Sequence, residues 1–311
     1  LGVEGLLRSN SDISISDSFA VTGSFYSTAT TRFNGSSVFT GTGIFTDVSI
    51  NSGNSLSLSA NALFEVRGQF QNNGGTFSTT LLPNTVWYSG NSSSILGTSY
   101  NNVRMTGGNT KFAGGNITLT GNLSVDSLTT FSGSTSSVTF NGNDTLKSVA
   151  NGYFLFNDVI INGGKTLYGG TLSISVAGNW SNSGSFISTG ASTVTFMGST
   201  AQSISRTSFQ NLHLSSSGTK SALGNWTING NLTIDAGTTF DANSTTDTLK
   251  GNYLNTGATI HPGTSTFVMN GTSPQSLYGF YFNKLLIFFS ETKPCNYSFC
   301  KVKKWRLFRS K

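Results

Sequence analysis

The chain has 311 residues, of which 10% are charged and 36% are hydrophobic, and it contains 37 glycines and 24 phenylalanines. This composition excludes a disordered chain, which needs low hydrophobicity and high net charge, and a collagen, which needs glycine at every third position. Stretches of strong helix formers are missing, so the sequence predicts an all-β protein. The longest apolar run is Leu285 to Phe289, which is too short to predict a transmembrane segment.

The net charge of +6 is concentrated near one end of the chain. Residues 284–311 hold eight of the 18 lysines and arginines but only one of the 12 acids. The preceding residues are therefore nearly neutral and have no basic stripe that would neutralise phosphates. This distribution predicts that nucleic acid is not a partner.

A short strand with a bulky residue, followed by glycine, recurs in chain order. Each copy alternates apolar and polar residues over about four positions, as short strands do. A second pattern, an aromatic residue followed by alternating apolar residues, recurs with it. The bulky residues of the first pattern are Phe33, Tyr88, Phe140, Phe196 and Met269, and the aromatic residues of the second are Phe45, Tyr100, Phe156, Phe209 and Phe282.

Both patterns return after about 55 residues, and both have the same longer last step, to which residues 234–256 add about one coil. A strand of five residues cannot bury its apolar face alone, so the shared spacing predicts stacked repeats with one core. We expect a parallel β-helix (β-solenoid) over residues 1–287, built from about 55-residue repeats of two to three coils each. A sandwich or a string of small all-β domains is the alternative.

The tryptophans divide into two groups. Trp180 and Trp226 occupy positions at which other copies of a Gly-Asn-apolar pattern have leucine or isoleucine, which predicts that both are core residues. Trp87 lies in an alternating strand and is the better candidate for an outward-facing aromatic that contacts a glycan. His213, between two leucines, is expected to face solvent.

Catalytic residues are scarce. His213 and His261 fit no Ser-His-Asp arrangement and no zinc-ligand spacing, and Asp235, Asp241 and Asp247 are interpreted as turn residues. The sequence therefore predicts no enzyme and no catalytic, cofactor or metal site.

The repeated motifs resemble those of the long, repetitive β-solenoid surface and secreted proteins, adhesin-like in character, of Bacteroidetes-type bacteria. The resemblance covers about residues 20–287 and is carried by Val138-Thr139-Phe140-Asn141-Gly142, Ala201-Gln202-Ser203-Ile204, Phe209-Gln210-Asn211-Leu212, Gly230-Asn231-Leu232-Thr233-Ile234 and Pro274-Gln275-Ser276-Leu277.

The resemblance implies a non-enzymatic structural role, as a stiff stalk or presentation module at the cell surface, associated with the outer membrane, or outside the cell. It implies cell-surface glycans, other envelope proteins and further coils of a longer chain as partners, so we expect the sequence to be a fragment. The alternatives are a carbohydrate-binding protein and a polysaccharide-active β-helix protein.

Three triplets resemble the O-glycosylation triplet of Bacteroidetes. They make Ser127, Thr145 and Thr248 candidate O-glycosylation sites, each preceded by aspartate and followed by leucine.

Residues 288–311 depart from the repeats. This basic tail contains both cysteines, Cys295 and Cys300, and charge, cysteine content and repeat phase all change within a few residues. We expect a frame-shifted or disordered segment. A tail that contacts a membrane or nucleic acid is the functional alternative.

Overall fold

The computed structural model of the chain describes residues 2–91, 94–149, 152–289, 296–302 and 305–309, the last two ranges as backbone only. All the regular secondary structure in these residues is β-strand, and the strands stack in parallel as about 14 turns of a β-solenoid. The predicted all-β parallel β-helix is confirmed. The chain forms two compact units, Leu1–Phe154 (unit 1) and Leu155–Lys311 (unit 2).

The strands of unit 1 are β1 (Gly2–Val3), β2 (Leu6–Ser9), β3 (Ile13–Ile15), β4 (Phe19–Ser27), β5 (Thr30–Phe33), β6 (Ser36–Phe45), β7 (Asp47–Asn51), β8 (Ser55–Leu58), β9 (Leu63–Val66), β10 (Phe70–Asn73), β11 (Thr76–Ser78), β12 (Thr85–Tyr88), β13 (Ser94–Ile95), β14 (Ser99–Tyr100), β15 (Asn102–Met105), β16 (Asn109–Ala113), β17 (Ile117–Leu119), β18 (Leu123–Val125), β19 (Thr129–Ser132), β20 (Ser137–Phe140) and β21 (Asn143–Ser148).

Most of these strands belong to four parallel sheets. Their strand orders are β1-β4-β6-β9-β12-β15-β18-β21, β3-β5-β7-β10, β13-β16-β19 and β14-β17-β20; β2 pairs with β4, and β8 pairs with β6 and β11. In unit 1, each strand from β12 to β18 pairs with the strand three places later in the chain. One coil of the solenoid therefore contains three strands, one on each of three sheets.

Strand β22 (Tyr153–Phe156) contains the boundary between the units. The strands that follow are β23 (Asp158–Ile161), β24 (Thr166–Gly170), β25 (Ile174–Val176), β26 (Trp180–Asn182), β27 (Ser185–Ser188), β28 (Thr193–Phe196), β29 (Gln202–Ile204), β30 (Thr207–Phe209), β31 (Asn211–Leu214), β32 (Thr219–Ala222), β33 (Trp226–Ile228), β34 (Leu232–Ile234), β35 (Thr239–Asp241), β36 (Thr246–Leu249), β37 (Tyr253–Asn255), β38 (Thr259–His261), β39 (Thr266–Met269), β40 (Ser276–Phe282), β41 (Lys284–Phe289), β42 (Asn296–Val302) and β43 (Trp305–Arg309).

Unit 2 has a three-strand coil as far as β38, whereas β39, β40 and β41 each pair with the strand two places later in the chain. The strand orders are β25-β28-β31-β34-β37-β40-β42, β23-β26-β29-β32-β35-β38 and β30-β33-β36-β39-β41-β43, and β24 pairs with β27. Of the predicted tail, residues 288–311, the structure describes 288–289, 296–302 and 305–309, and the side chains of Cys295 and Cys300 lie outside the described part. Its frame-shifted or disordered character stays a prediction.

Alternate side chains of each strand point into the solenoid and form a continuous core, because successive residues of a strand face opposite sides of a sheet. In unit 1 the core is rich in phenylalanine: Phe45 and Phe64 stack with ring centroids 4.3 Å apart, and Phe39 meets Phe64 edge-on at 5.2 Å. In unit 2, Trp180 and Trp226 are both only 1% exposed. The prediction that these two tryptophans are core residues is confirmed.

Steric crowding explains why each copy of the first sequence pattern ends in glycine. A Cβ added at Gly90 would lie 1.6 Å from the carbonyl oxygen of Arg67 in the preceding coil, and one added at Gly198 would lie 2.0 Å from that of Ala177. Consecutive coils pass too closely here for any side chain. The bulky residue and the glycine therefore mark one place where the chain leaves a strand and crosses the previous coil.

The coil and the sequence repeat differ in length. Backbone and side-chain hydrogen bonds join equivalent positions of neighbouring coils that are 20, 21 and 24 residues apart, whereas the sequence patterns recur after about 55 residues. Successive copies accordingly fall on different sheets. In unit 1, Tyr88 lies on β12 and Phe140 on β20, which belong to different sheets.

Candidate functional site

Parallel pairing in unit 1 aligns one outward-facing row of side chains on the β4-β6-β9-β12-β15 sheet. Glu65 pairs with Trp87, and Trp87 pairs with Arg104, so their side chains stand one above another at the strand spacing of about 4.8 Å. The full row consists of Arg8, Tyr26, Ile44, Glu65, Trp87, Arg104, Ser124 and Lys147. Two further residues, Arg67 and Asp126, form ion pairs with members of the row. The row and these two residues together are called the Trp87 surface.

Two neighbouring side chains hold Trp87 in place on this surface. Its indole Nε1–H donates to Oγ1 of Thr106 at 2.9 Å, and the Cζ atom of Arg104 lies 4.6 Å from the centre of its ring, a cation–π contact. Arg104 also forms an ion pair with Asp126 at 2.9 Å and stays 45% exposed. Trp87 is half-buried and faces outward, as the alternation of its strand indicates. Its contact with a glycan stays a prediction.

Two arginines share the ring of Tyr26. The guanidinium carbon of Arg8 lies 5.9 Å from the ring centre and that of Arg67 lies 5.3 Å from it. Nε of Arg67 donates to Oε1 of Glu65 at 2.8 Å, and this hydrogen bond raises the pKa of Arg67. The arginines therefore place two positive charges around one tyrosine.

Glu65 is the carboxylate that fixes this part of the surface. It is only 4% exposed, and a buried carboxylate needs hydrogen-bond donors. Arg67 supplies one, and the hydroxyl of Ser89 supplies another at 2.5 Å. These two hydrogen bonds fix the orientation of Arg67 and Ser89 relative to Glu65.

Unit 1 also has a polar depression on the β3-β5-β7-β10 sheet. Its volume is about 360 Å³, and Thr30, Arg32, Asp47, Gln69 and Asn73 are among its lining residues. The charged groups there already have partners. Arg32 pairs with Asp12 at 2.6 Å, a hydrogen bond that lowers the pKa of Asp12, and Asp47 accepts from the backbone N–H of Gln69 at 2.7 Å.

His213 lies where the alternation of its strand predicts. His213 is half-buried and outward, between the buried Leu212 and Leu214, and its Nε2 lies 2.9 Å from Oδ2 of Asp235. His261 is exposed at the end of β38. In the part of the chain that the structure describes, no group of three or more His, Cys, Asp or Glu side chains is placed to hold a metal ion.

The candidate O-glycosylation sites differ in their surroundings. Ser127 is exposed, in the turn after β18, while Thr145 and Thr248 lie within strands β21 and β36 and are half-buried. The aspartates before the two threonines, Asp144 and Asp247, are almost completely buried. The structure therefore exposes the first triplet more than the other two.

Asp247 was expected in a turn, and that expectation is wrong. It lies in β36 at an inward position and is 1% exposed. Its carboxylate accepts the backbone N–H of Trp226 at 2.8 Å and contacts the hydroxyl of Thr245 at 2.7 Å. Burial raises the pKa of Asp247 to about 6. The sequence did contain a signal for this burial: in the alternating strand Thr-Asp-Thr-Leu, the aspartate lies on the same side as the leucine, which faces the core.

Two buried lysines were also missed. Lys111 and Lys220 are both 0% exposed, and each donates from Nζ to the carbonyl of a pattern-ending glycine, Gly90 and Gly198 respectively. Lys220 donates in addition to the carbonyl of Ser217 at 3.1 Å. Burial lowers the pKa of both, to about 8 for Lys220. Both lysines occupy inward-facing positions of alternating strands, so their burial could have been predicted from the sequence.

Comparison of the chain with protein-family models, with curated proteins and with solved structures found no match. Among the described residues there is no helix with the length and apolar character to cross a membrane.

Proposed function

We propose that this chain is a non-enzymatic structural module of an extracellular or cell-surface protein, adhesin-like in role, whose coils form a stiff spacer. One observation carries the proposal: in each unit, side chains bind successive coils to each other in addition to the backbone ladders. Such cross-links make it costly to separate one coil from the next.

The cross-links form columns along the coils. In unit 2, Oδ1 of Asn211 accepts the backbone N–H of Asn231 at 2.8 Å, Asn231 accepts that of Asn252 at 2.9 Å, and Asn252 accepts that of Ser276 at 2.8 Å. In unit 1, Asn102 does the same for Asn122 at 2.9 Å. Three of these backbone donors belong to the residue directly before a strand, and the fourth, Ser276, is the first residue of β40, so the side-chain oxygens satisfy donors where the strands begin.

Sparse charge supports the same role. With 10% charged residues, few surface ion pairs contribute to stability, so ionic strength should affect the fold little. A spacer outside the cell meets variable salt, and this composition suits that environment.

The test combines location and resistance to proteolysis. Antibodies against residues 2–287 should label intact cells of the organism that encodes the chain, and the native chain should resist thermolysin under conditions that cleave its urea-unfolded form. Labelling only after lysis, or rapid cleavage of the native chain within the strands, would contradict the proposal.

Carbohydrate binding is the second candidate, and the Trp87 surface favours it. The surface combines half-buried aromatic rings, exposed guanidinium groups and the partly exposed carboxylate of Asp126, which are groups that bind sugars. Binding is preferred to cleavage because acid–base hydrolysis needs two carboxylates placed across the bond, whereas Glu65 and Asp126 each pair with an arginine. Release of reducing ends from a polysaccharide would instead favour the polysaccharide-active alternative.

A further inference from the structure

We infer that the Trp87 surface binds an anionic polysaccharide whose negative charge is the carboxylate of a uronic acid. The inference rests on the carbohydrate-binding candidate and adds the chemical class of the ligand. The primary contact is the pair Arg8 and Arg67 around Tyr26, and the secondary contact is Arg104 on Trp87.

An excess of positive charge is the first reason. Four cationic side chains, Arg8, Arg67, Arg104 and Lys147, share the Trp87 surface with two carboxylates, Glu65 and Asp126. Around Tyr26 itself, two guanidinium groups lie within 6 Å of one ring centre and a single carboxylate, Glu65, pairs with one of them. A further anion between them would relieve the repulsion of these two like charges.

Preorganisation is the second reason. Arg67 is oriented by Glu65 and by the ring of Tyr26, yet remains 43% exposed. Arg104 is oriented by Asp126 and by the ring of Trp87 and remains 45% exposed. A guanidinium that is already fixed loses less rotamer entropy on binding, and its planar fork matches a carboxylate through two parallel hydrogen bonds.

Spacing is the third reason. Along the row, Tyr26 and Trp87 are separated by three strand steps, through Ile44 and Glu65, which is about 14 Å at the usual strand spacing. The two arginine–aromatic contacts are therefore repeated along one line. A linear polymer with a carboxylate on each sugar offers charges along such a line.

Uronate is favoured over nucleic acid by the carboxylates of the surface. Asp126 would repel a dense phosphate backbone, and the described residues of unit 1 form no continuous basic stripe of the kind that such a backbone requires. The carboxylate of Asp126 is 29% exposed and can accept a hydrogen bond from a sugar hydroxyl. A polymer with one moderate charge per sugar thus fits better than a phosphate chain or a heavily sulfated one.

The experiment is affinity gel electrophoresis of the full chain through gels that contain polygalacturonate, dextran, heparin or no polymer, in 150 mM salt. R8Q and R67Q test the primary contact. R32Q is the matched control, because Arg32 is a partly exposed, ion-paired arginine on a different sheet of unit 1 and the charge change is the same. All variants keep residues 288–311, so non-specific attraction to the basic tail is equal.

We expect polygalacturonate to retard the wild-type chain and R32Q equally. Loss of one charge-assisted hydrogen-bonding group should weaken retardation about ten-fold in R8Q and in R67Q. R8Q is the cleaner variant, because removing Arg67 leaves buried Glu65 without its cation; circular dichroism checks that both fold.

Each of the following results would overturn the inference. Equal retardation of R8Q and R32Q would show that the arginine pair does not contribute to binding. Stronger retardation by heparin than by polygalacturonate would assign another anion. Retardation by dextran alone would refute the uronate but retain the carbohydrate-binding candidate, whereas no retardation by any polymer would refute both.

Discussion

In unit 2 the hydroxyl of Thr245 lies 2.7 Å from Oδ2 of Asp247, inside the solenoid. The same hydroxyl lies 2.9 Å from the carbonyl oxygen of Ala242. The hydroxyl has one hydrogen, so it donates to Asp247 and to Ala242 as alternatives or in a shared hydrogen bond. Burial raises the pKa of Asp247 from an ordinary 3.8 to about 6, although the hydrogen bonds from Thr245 and from the N–H of Trp226 act to lower it.

The first prediction concerns D247N. The folded chain keeps the proton of Asp247 up to about pH 6, whereas the unfolded chain releases it near pH 4. Ionisation of Asp247 therefore lowers the unfolding free energy as the pH rises from 4 to 6. Asn keeps an acceptor for the N–H of Trp226 and a donor for Thr245 without a charge. The unfolding free energy of D247N relative to wild type should therefore rise by about 2 kcal/mol from pH 4 to pH 7.

Urea unfolding at several pH values measures this difference. D241N is the matched control, since Asp241 is a half-buried carboxylate at the end of the neighbouring strand β35. A difference between D247N and wild type that does not change with pH would show that Asp247 is not buried as a protonated acid.

The second prediction concerns Lys220. Its pKa of about 8 when folded lies below the ordinary 10.5, so above pH 8 the unfolded chain binds more protons than the folded one and stability rises with pH. Lys111 contributes in the same direction. From pH 7.5 to pH 9.5 the gain from Lys220 should be about 1–2 kcal/mol.

K220M should abolish most of that gain, because methionine has a similar volume and no titration. The range stops at pH 9.5 because burial raises the pKa of Tyr88 and Tyr100, and their ionisation in the unfolded chain opposes folding at higher pH. K250M is the control, since Lys250 is exposed. Equal pH slopes for K220M and wild type would contradict the prediction.

The third prediction concerns Gln202, whose buried side chain hydrogen-bonds to three backbone groups. Its Oε1 accepts the N–H of Gly198 at 2.9 Å, and its Nε2 donates to the carbonyls of Val176 at 3.1 Å and Gly178 at 2.5 Å. Q202A leaves three backbone groups without this partner and should lower the unfolding free energy by about 2–4 kcal/mol.

The neighbouring Gln210 is half-buried and provides the control, Q210A, which should cost only a few tenths of a kcal/mol, as surface substitutions do. Gln275 repeats the Gln202 arrangement with Gly271, Leu249 and Gly251, so Q275A should behave like Q202A. If Q202A and Q210A unfold at the same urea concentration, the hydrogen bonds of the Gln202 amide do not contribute to stability.

The fourth prediction concerns the asparagine column. N231A removes the acceptor for the N–H of Asn252 at an exposed position and should cost about 0.5–1.5 kcal/mol. N231D keeps an oxygen at the same place and should recover most of this loss, since Asp158 binds the N–H of Asn179 at 2.6 Å in the same manner. Native-state hydrogen exchange at Asn252 measures the effect locally. Equal exchange in N231A and N231D would refute the role of the oxygen.

The candidate site was only partly predictable. Trp87 could be assigned to the outer surface because its strand alternates, but Arg67, Arg104 and Glu65 were not recognised. Tyr26 and Arg67 come from different coils, and nothing in their sequence separation shows that they meet. Their contact depends on which strand pairs with which.

The sequence by itself determined the strands, their turns and the side of each strand that faces the core, because period-two alternation and the spacing of glycine are local properties. It placed Trp180 and Trp226 inside and His213 outside. Only the tertiary structure decided the register between coils. Coil length varies from one turn to the next, with equivalent positions 20, 21 and 24 residues apart, so side chains on different coils align only after the backbone ladders have formed. The Trp87 surface, the contact of Lys220 with the carbonyl of Gly198 and the contact of Asp247 with the N–H of Trp226 all arise at that step.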